Sequence, residues 1–275
     1  MLTFYIYASY VFHFFANIFL NIRVLKKKEH PTRFKEKLGL YEIKNNNPTV
    51  WFHASSLGEI KSVVPLMSHF SKNKNFNILI TTVTLSSSEY CHQIFKHVEN
   101  ITHQFAPLDT PIIVKKFLDH WKPQISIFVE SEIWPNLILQ TKKKSKLILL
   151  NARLSNKSFS RWKLVKKVAQ KLLKQFDSIS AQSREVKSFL EFFGIQNVHF
   201  LGNLKFISPD NVPNNDSFVF RKVVENSWVA MSIHKGEETF IIETVKKIKK
   251  KQIESQCILI PRHLNKIKEL TDTIK

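Results

Sequence analysis

Cysteine, glycine and acidic residues are all scarce in this chain of 275 residues. Two cysteines, Cys91 and Cys257, exclude a disulfide framework and a cysteine-built zinc site, and they fit a reducing compartment. Five glycines fall far below the roughly 7% of ordinary proteins, so each is expected where no other residue would serve. Asp and Glu number 22 against 42 Lys and Arg, a formal net charge of +20. That excess suits an anionic membrane surface or a phosphorylated substrate, although runs such as Lys142–Lys144 and Lys246–Lys251 also read simply as solvated helix faces. The basic residues are not interleaved with a platform of aromatics, so no nucleic-acid partner is expected. The eleven histidines lack metal-binding spacing, and neither a metal nor a G-x-S-x-G nucleophile turn is predicted. A hydrophobic content of 43% excludes a disordered chain.

Residues 2–22 contain no Asp, Glu, Lys or Arg. Such a stretch is long enough to cross the hydrocarbon core as a helix. Tyr5, Tyr7 and Tyr10 suit an interfacial belt, whereas His13, Asn17 and Asn21 weaken the case. Arg23, Lys26, Lys27 and Lys28 follow at once, which places the rest of the chain on the cytoplasmic side by the positive-inside rule. A retained single-pass anchor over residues 1–23 is expected, in preference to an interfacial helix or a cleaved signal.

From residue 49 onward, strand-like runs alternate with helical patterns. The predicted strands are 49–53, 76–83, 124–129, 146–150, 178–181 and 198–201. The predicted helices are 59–70, 87–97, 111–120, 135–143, 159–175 and 184–193. This rhythm means βαβ units and a parallel sheet. Ser208–Asn215 (SPDNVPNN) reads as a turn-rich linker, after which the rhythm restarts with a strand at 228–233, a helix at 237–251 and a strand at 257–260. The expected organisation is an anchor (1–23), a linker (24–47), a first Rossmann-like domain (48–206), a second linker (207–227) and a partial second domain (228–275). That last piece is too short for a doubly wound domain of its own, so it is expected to be incomplete or a remnant.

Five places carry candidate chemistry. Ser55-Ser56-Leu57-Gly58-Glu59 follows a strand, in a turn whose helix amides suit an anion. Glu59 reads there either as a general base or as a carboxylate placed for the helix dipole. Glu130 and Glu132 close the strand ending Ile127-Phe128-Val129, before a helix opened by Pro135. The carboxyl edge of an open parallel sheet is where ligands bind. Lys205, in Gly202-Asn203-Leu204-Lys205-Phe206, suits a phosphate or a plain surface. Ser232-Ile233-His234-Lys235-Gly236-Glu237-Glu238 repeats the strand, glycine, glutamate theme. Pro261-Arg262-His263 follows the last strand, where Arg262 suits bidentate phosphate binding or a structural ion pair.

Taken in order, these segments resemble the 3-deoxy-D-manno-octulosonic acid (Kdo) transferases of lipid A assembly. The matching residues are Arg33-Phe34 with Leu38-Gly39, His53 to Glu59, Glu130 to Asn136, Asn151 to Ser155, Gly202 to Phe206, Ser232 to Glu238 and Pro261 to His263. The resemblance implies a GT-B fold of two Rossmann-like domains behind an N-terminal transmembrane helix, at the cytoplasmic face of the inner membrane. It implies transfer of Kdo from CMP-Kdo to lipid IVA, with no further cofactor. By similarity Glu59 accepts the proton of the acceptor hydroxyl, Glu130 and Lys205 stabilise the transition state, and Pro261 and Arg262 belong to the CMP site, with Ser232 and His234 nearby. The family's second domain continues past Pro-Arg-His, so the 275-residue chain alone is expected to bind CMP weakly or not at all. Rival readings are a membrane-bound GT-B transferase using another sugar nucleotide, an inactive truncated relative, and a non-catalytic basic protein docked on anionic lipid.

Overall fold

A computed structural model describes residues 1–42, 49–206, 227–234, 236–251, 255–262, 267 and 271–272. The chain divides into two compact units, residues 1–211 and 212–275.

The first unit opens with helix α1 (Leu2–Leu25), followed by a 3-10 turn (Arg33–Leu38) that Gly39 ends in the left-handed region at φ 80°. Strands and helices then alternate. They run β1 (Thr49–His53), α2 (Leu57–Ser71), β2 (Asn77–Thr82), α3 (Leu85–Phe95), β3 (Ile101–Phe105), α4 (Pro111–Trp121), β4 (Pro123–Val129) and α5 (Pro135–Thr141). After them come β5 (Lys146–Ala152), α6 (Asn156–Leu164), α7 (Lys166–Leu173), β6 (Ser178–Ala181), α8 (Arg184–Phe192) and β7 (Val198–Phe200). Local chemistry sets many of the boundaries. Ser56, Thr84, Thr110, Ser155 and Ser183 each cap a helix by accepting from the amide three residues on. Pro111 and Pro135 occupy first-turn positions where a missing N–H costs nothing.

All seven strands pair in parallel, in the order β3-β2-β1-β4-β5-β6-β7. The chain builds outward from β1 to β3, then returns to lay β4 on the other side of β1. Helices therefore leave these two neighbouring strands toward opposite faces, and a crevice opens beyond their carboxyl ends. Side chains alternate between two cores. Trp51, Phe128 and Leu149 join Phe117 and Leu173 in one, while Phe52, Ile80 and Val129 join Ile60 and Met67 in the other. Trp51 is fully buried, its ring centroid 4.6 Å from that of Phe117 and 5.1 Å from that of Phe128.

Two features differ from the sequence expectation. The helix predicted over 159–175 is broken at Val165, whose φ of −122° and ψ of 35° lie outside the helical region. Edge strand β3 was not predicted, because Thr102, His103 and Gln104 interrupt its apolar pattern. The apolar helix near the N-terminus is present, and one of its faces packs on the first unit: Ser9, Ala16 and Leu20 are buried there.

In the second unit, β8 (Trp228–Ile233) and β9 (Cys257–Pro261) pair in parallel, and α9 (Glu238–Lys250) lies between them in the chain. The register shifts after Met231, where Ser232 adopts a φ of 65°.

Candidate active site

The two acidic segments leave adjacent strands at the crevice. Glu59 stands in the first turn of α2, just after β1, and Glu130 and Glu132 follow β4 directly. Both oxygens of Glu59 are engaged. Ser55 N donates to Oε2 at 2.7 Å, and Ser56 Oγ donates to Oε1 at 2.8 Å. Glu59 N in turn donates to Ser56 Oγ at 3.4 Å, a variant of the capping box in which the carboxylate reaches the amide of Ser55, one residue before the N-cap. At this turn Ser55 N, before the N-cap, is taken by Glu59 itself, and of the first-turn helix amides Glu59 N is taken by Ser56 Oγ. Burial pushes the Glu59 carboxyl up from its ordinary range, and the charges of Glu132 and Glu130 push the same way. The bonds from Ser56 and Ser55 oppose the shift without cancelling it.

Glu132 behaves in the opposite way. It is buried, with Trp134 Nε1 donating to Oε2 at 2.7 Å and His53 Nε2 at 3.1 Å from the same oxygen. Burial pushes its pKa up, but contacts with His53, Ser55 and Trp134 outweigh burial and hold it at about 2. His53 is positioned from its other side by Thr81 Oγ1, 2.9 Å from Nδ1, and Trp51 Nε1 donates to that same hydroxyl at 2.8 Å. Neither His53 nor Trp134 had been given a role from the sequence. A buried imidazole at the end of a strand that also ends beside a carboxylate is the signal that would have found them.

Glu130 is 5% exposed and holds a φ of 60°. Lys205 Nζ lies 2.6 Å from Oε1, and Arg153 Nη1 lies 3.7 Å from Oε2. Lys205 comes from a 3-10 turn (Leu204–Phe206) after β7, anchored by Leu204 N donating to Asn151 Oδ1 at 3.2 Å. Its ammonium lies 4.0 Å from the place a Cβ on Gly58 would occupy. Three of the residues singled out in the sequence, Glu59, Glu130 and Lys205, therefore share one edge of one sheet. A carboxylate whose pKa is raised, beside the Glu130–Lys205 ion pair, has the makings of a proton acceptor next to a charge-stabilising pair.

The other four singled-out residues lie in the second unit, also at one strand edge. Ile233 and Pro261 are register partners, and Arg262 N donates to Ile233 O at 3.1 Å. Ser232, His234, Pro261 and Arg262 thus gather at the carboxyl ends of β8 and β9, Ser232 and Pro261 within the strands and His234 and Arg262 just past them and exposed. His234 N donates to Glu237 Oε2 at 2.8 Å, and Gly236 N donates to the Glu238 carboxylate, so both acids serve the turn before α9. Lys235 and His263 lie outside the described residues.

A parallel α/β sheet with its acidic cluster at the point where strand order reverses defines a Rossmann-like lobe of the GT-B type. Its fold is similar to that of UDP-GlcNAc 2-epimerase from Neisseria meningitidis bound to UDP-GlcNAc, with a TM-score of 0.55 over 82% of this chain and 69% of that one, at 15% identity. The family described as 3-deoxy-D-manno-octulosonic-acid transferase (kdotransferase) matches residues 32–208, and the chain belongs to that family. The 3-deoxy-D-manno-octulosonic acid transferase of Rickettsia bellii is 34% identical over 99% of this chain and 66% of its own length. The Rickettsia prowazekii protein of the same name is 35% identical over 82% of this chain and 50% of its own length. The chain thus spans between half and two thirds of the length of these relatives.

Proposed function

We propose that this protein transfers Kdo from CMP-Kdo to lipid IVA at the cytoplasmic face of the inner membrane. Family membership supports the reaction class, and the gathering of Glu59, Glu130 and Lys205 at the switch point of the sheet is the observation that carries the assignment of roles. Glu59 takes the proton of the attacking acceptor hydroxyl. Its raised pKa suits that task, because a base is most effective when its pKa approaches the working pH. Cleavage of the bond from sugar to phosphate builds positive charge on the sugar and negative charge on the phosphate. Glu130 answers the first and Lys205 the second. Arg262 and Pro261, with Ser232 and His234, bind the CMP portion, where a guanidinium matches phosphate geometry. The excess of basic residues favours an anionic bilayer and an acceptor that carries phosphates.

The hydrogen bonds around Glu59 also support a second reading, a carboxylate that only caps α2. Glu59→Gln separates the two, because a capping box accepts Gln as well as Glu. Tested in a form of the protein that carries a complete donor domain, the variant is expected to keep its melting temperature while turnover of CMP-Kdo falls about 100-fold or more, the usual scale of general-base loss. Unchanged turnover in Glu59→Gln would leave only the capping role.

A further inference from the structure

Helix α1 is fastened to the first unit along nearly its whole length. Tyr5 Oη donates to Asp109 Oδ2 at 2.7 Å, and Asn136 Nδ2 donates to Ser9 Oγ at 3.0 Å. Farther along, Arg23 Nε pairs with Glu29 Oε1 at 2.7 Å. Ser9, Ala16 and Leu20, which repeat at helical spacing, are buried between these points. On the opposite side of the helix, Phe4, Val11, Phe14, Phe15, Ile18 and Ile22 form a continuous exposed stripe, with Phe4 at 76% and Phe14 at 78% exposure.

This docking is incompatible with a bilayer crossing. Tyr5 and Arg23 are separated by about 27 Å of helix, close to the roughly 30 Å of the hydrocarbon core. With Arg23 at one interface, Tyr5 would sit at the other, and Asp109, Asn136 and the exposed Lys115 and Lys116 of α4 would be drawn into lipid with it. Charged side chains and loop backbone exposed to lipid are not tolerated there. The helix must therefore either leave the unit or lie flat.

Building on the membrane reading above, we propose that α1 lies in the plane of an anionic phospholipid surface. Its Ser9–Leu20 face stays on the catalytic unit and its aromatic stripe sinks into the boundary between headgroups and acyl chains. The exposed Lys26, Lys27 and Lys28 at its end meet the lipid phosphates. The docked face explains why the helix is not obviously amphipathic in sequence: protein, rather than water, covers its small and polar side. Asp109 follows β3, and Asn136 opens α5 close to Glu132 and Trp134. The membrane plane then runs beside the edge of the sheet that carries the acidic cluster.

Thiol labelling of the full chain in spheroplasts decides the matter. The chain carries Cys257→Ser, and the buried Cys91 is left in place. A membrane-impermeant maleimide is applied to Thr3→Cys, with Lys28→Cys as the cytoplasmic reference. An in-plane helix gives labelling at both positions only after lysis, with the protein recovered in the membrane fraction. Labelling of Thr3→Cys in intact spheroplasts means a crossing helix, and it overturns this inference while leaving membrane attachment standing. Recovery of the chain in the soluble fraction overturns both. As an independent check, Val11→Glu with Ile18→Glu, both on the exposed stripe, should weaken binding to 3:1 phosphatidylethanolamine–phosphatidylglycerol vesicles at least 10-fold at an unchanged melting temperature. Equal binding by this variant would also overturn the proposal.

Discussion

Lys205 Nζ lies 2.6 Å from Glu130 Oε1, so one ammonium from the end of the first unit neutralises a buried carboxylate at the exit of β4. The pair joins segments far apart in sequence and stands beside the Gly58 turn, the ammonium lying 4.0 Å from the place a Cβ on Gly58 would occupy. Arg153 stands farther off, at 3.7 Å, with most of its side chain in solvent.

Removing the ammonium should therefore be costly. Lys205→Met leaves Glu130 buried with, among the described residues, only the more distant Arg153. A loss of about 1–3 kcal/mol in urea unfolding is expected, moderated because the lysine is partly exposed. Transfer activity should fall as well, and Lys205→Arg should recover more of the stability than of the activity, because a planar guanidinium cannot occupy the same point. Equal stability in Lys205→Met and the unaltered protein would show that the pair contributes nothing to the fold.

The neighbouring carboxylates set the pH at which Glu59 accepts a proton. Glu132 is a negative charge that helps hold the Glu59 pKa up. Glu132→Gln removes that charge, so the Glu59 pKa should drop and the acid limb of the rate against pH should move to lower pH. The same substitution in a Glu59→Gln background should move nothing. A limb that stays put in the single variant would mean that some other group titrates.

Acid stability should report on Glu132 itself. Its pKa of about 2 in the folded chain lies below the ordinary 4.5, so the folded state favours the ionised form. The resulting stability is fully present above the ordinary value and is lost as pH falls toward about 2, on the order of 3 kcal/mol in all. Unfolding free energies measured across that window should decline for the unaltered protein. They should be flatter for Glu132→Gln, and Trp134→Phe should lie between the two because it removes a single donor.

Much of the fold was legible because short strand-like runs alternate with helical patterns. Thr49–His53, Ser178–Ala181 and Trp228–Ile233 occupy the residues that the pattern predicts. Strand β3 escaped because it sits at the sheet edge, where polar His103 is acceptable: its carbonyl accepts from Arg33 Nη2 at 3.0 Å. The positions of Glu59 and Glu130 beyond strand ends were readable from local pattern. The ties from Lys205 to Glu130 and from His53 to Glu132 were not, because they depend on which strands become neighbours. His13 had counted against a membrane helix, yet it lies on the side that meets the protein, with Nδ1 3.4 Å from Thr110 Oγ1. Periodicity alone does not distinguish a face covered by protein from one covered by lipid.

The backbone at position 130 carries one more implication. A glutamate at φ 60° pays roughly 1–2 kcal/mol that glycine would avoid, and Asn151, at φ 55°, belongs to a residue type that tolerates this region more readily. If that site were required only to bend the chain, glycine would be the easier occupant, and it would also spare the burial of a carboxylate. Sampling every amino acid at this one site should therefore reveal a trade-off, with glycine ranking high for heat resistance and glutamate for turnover.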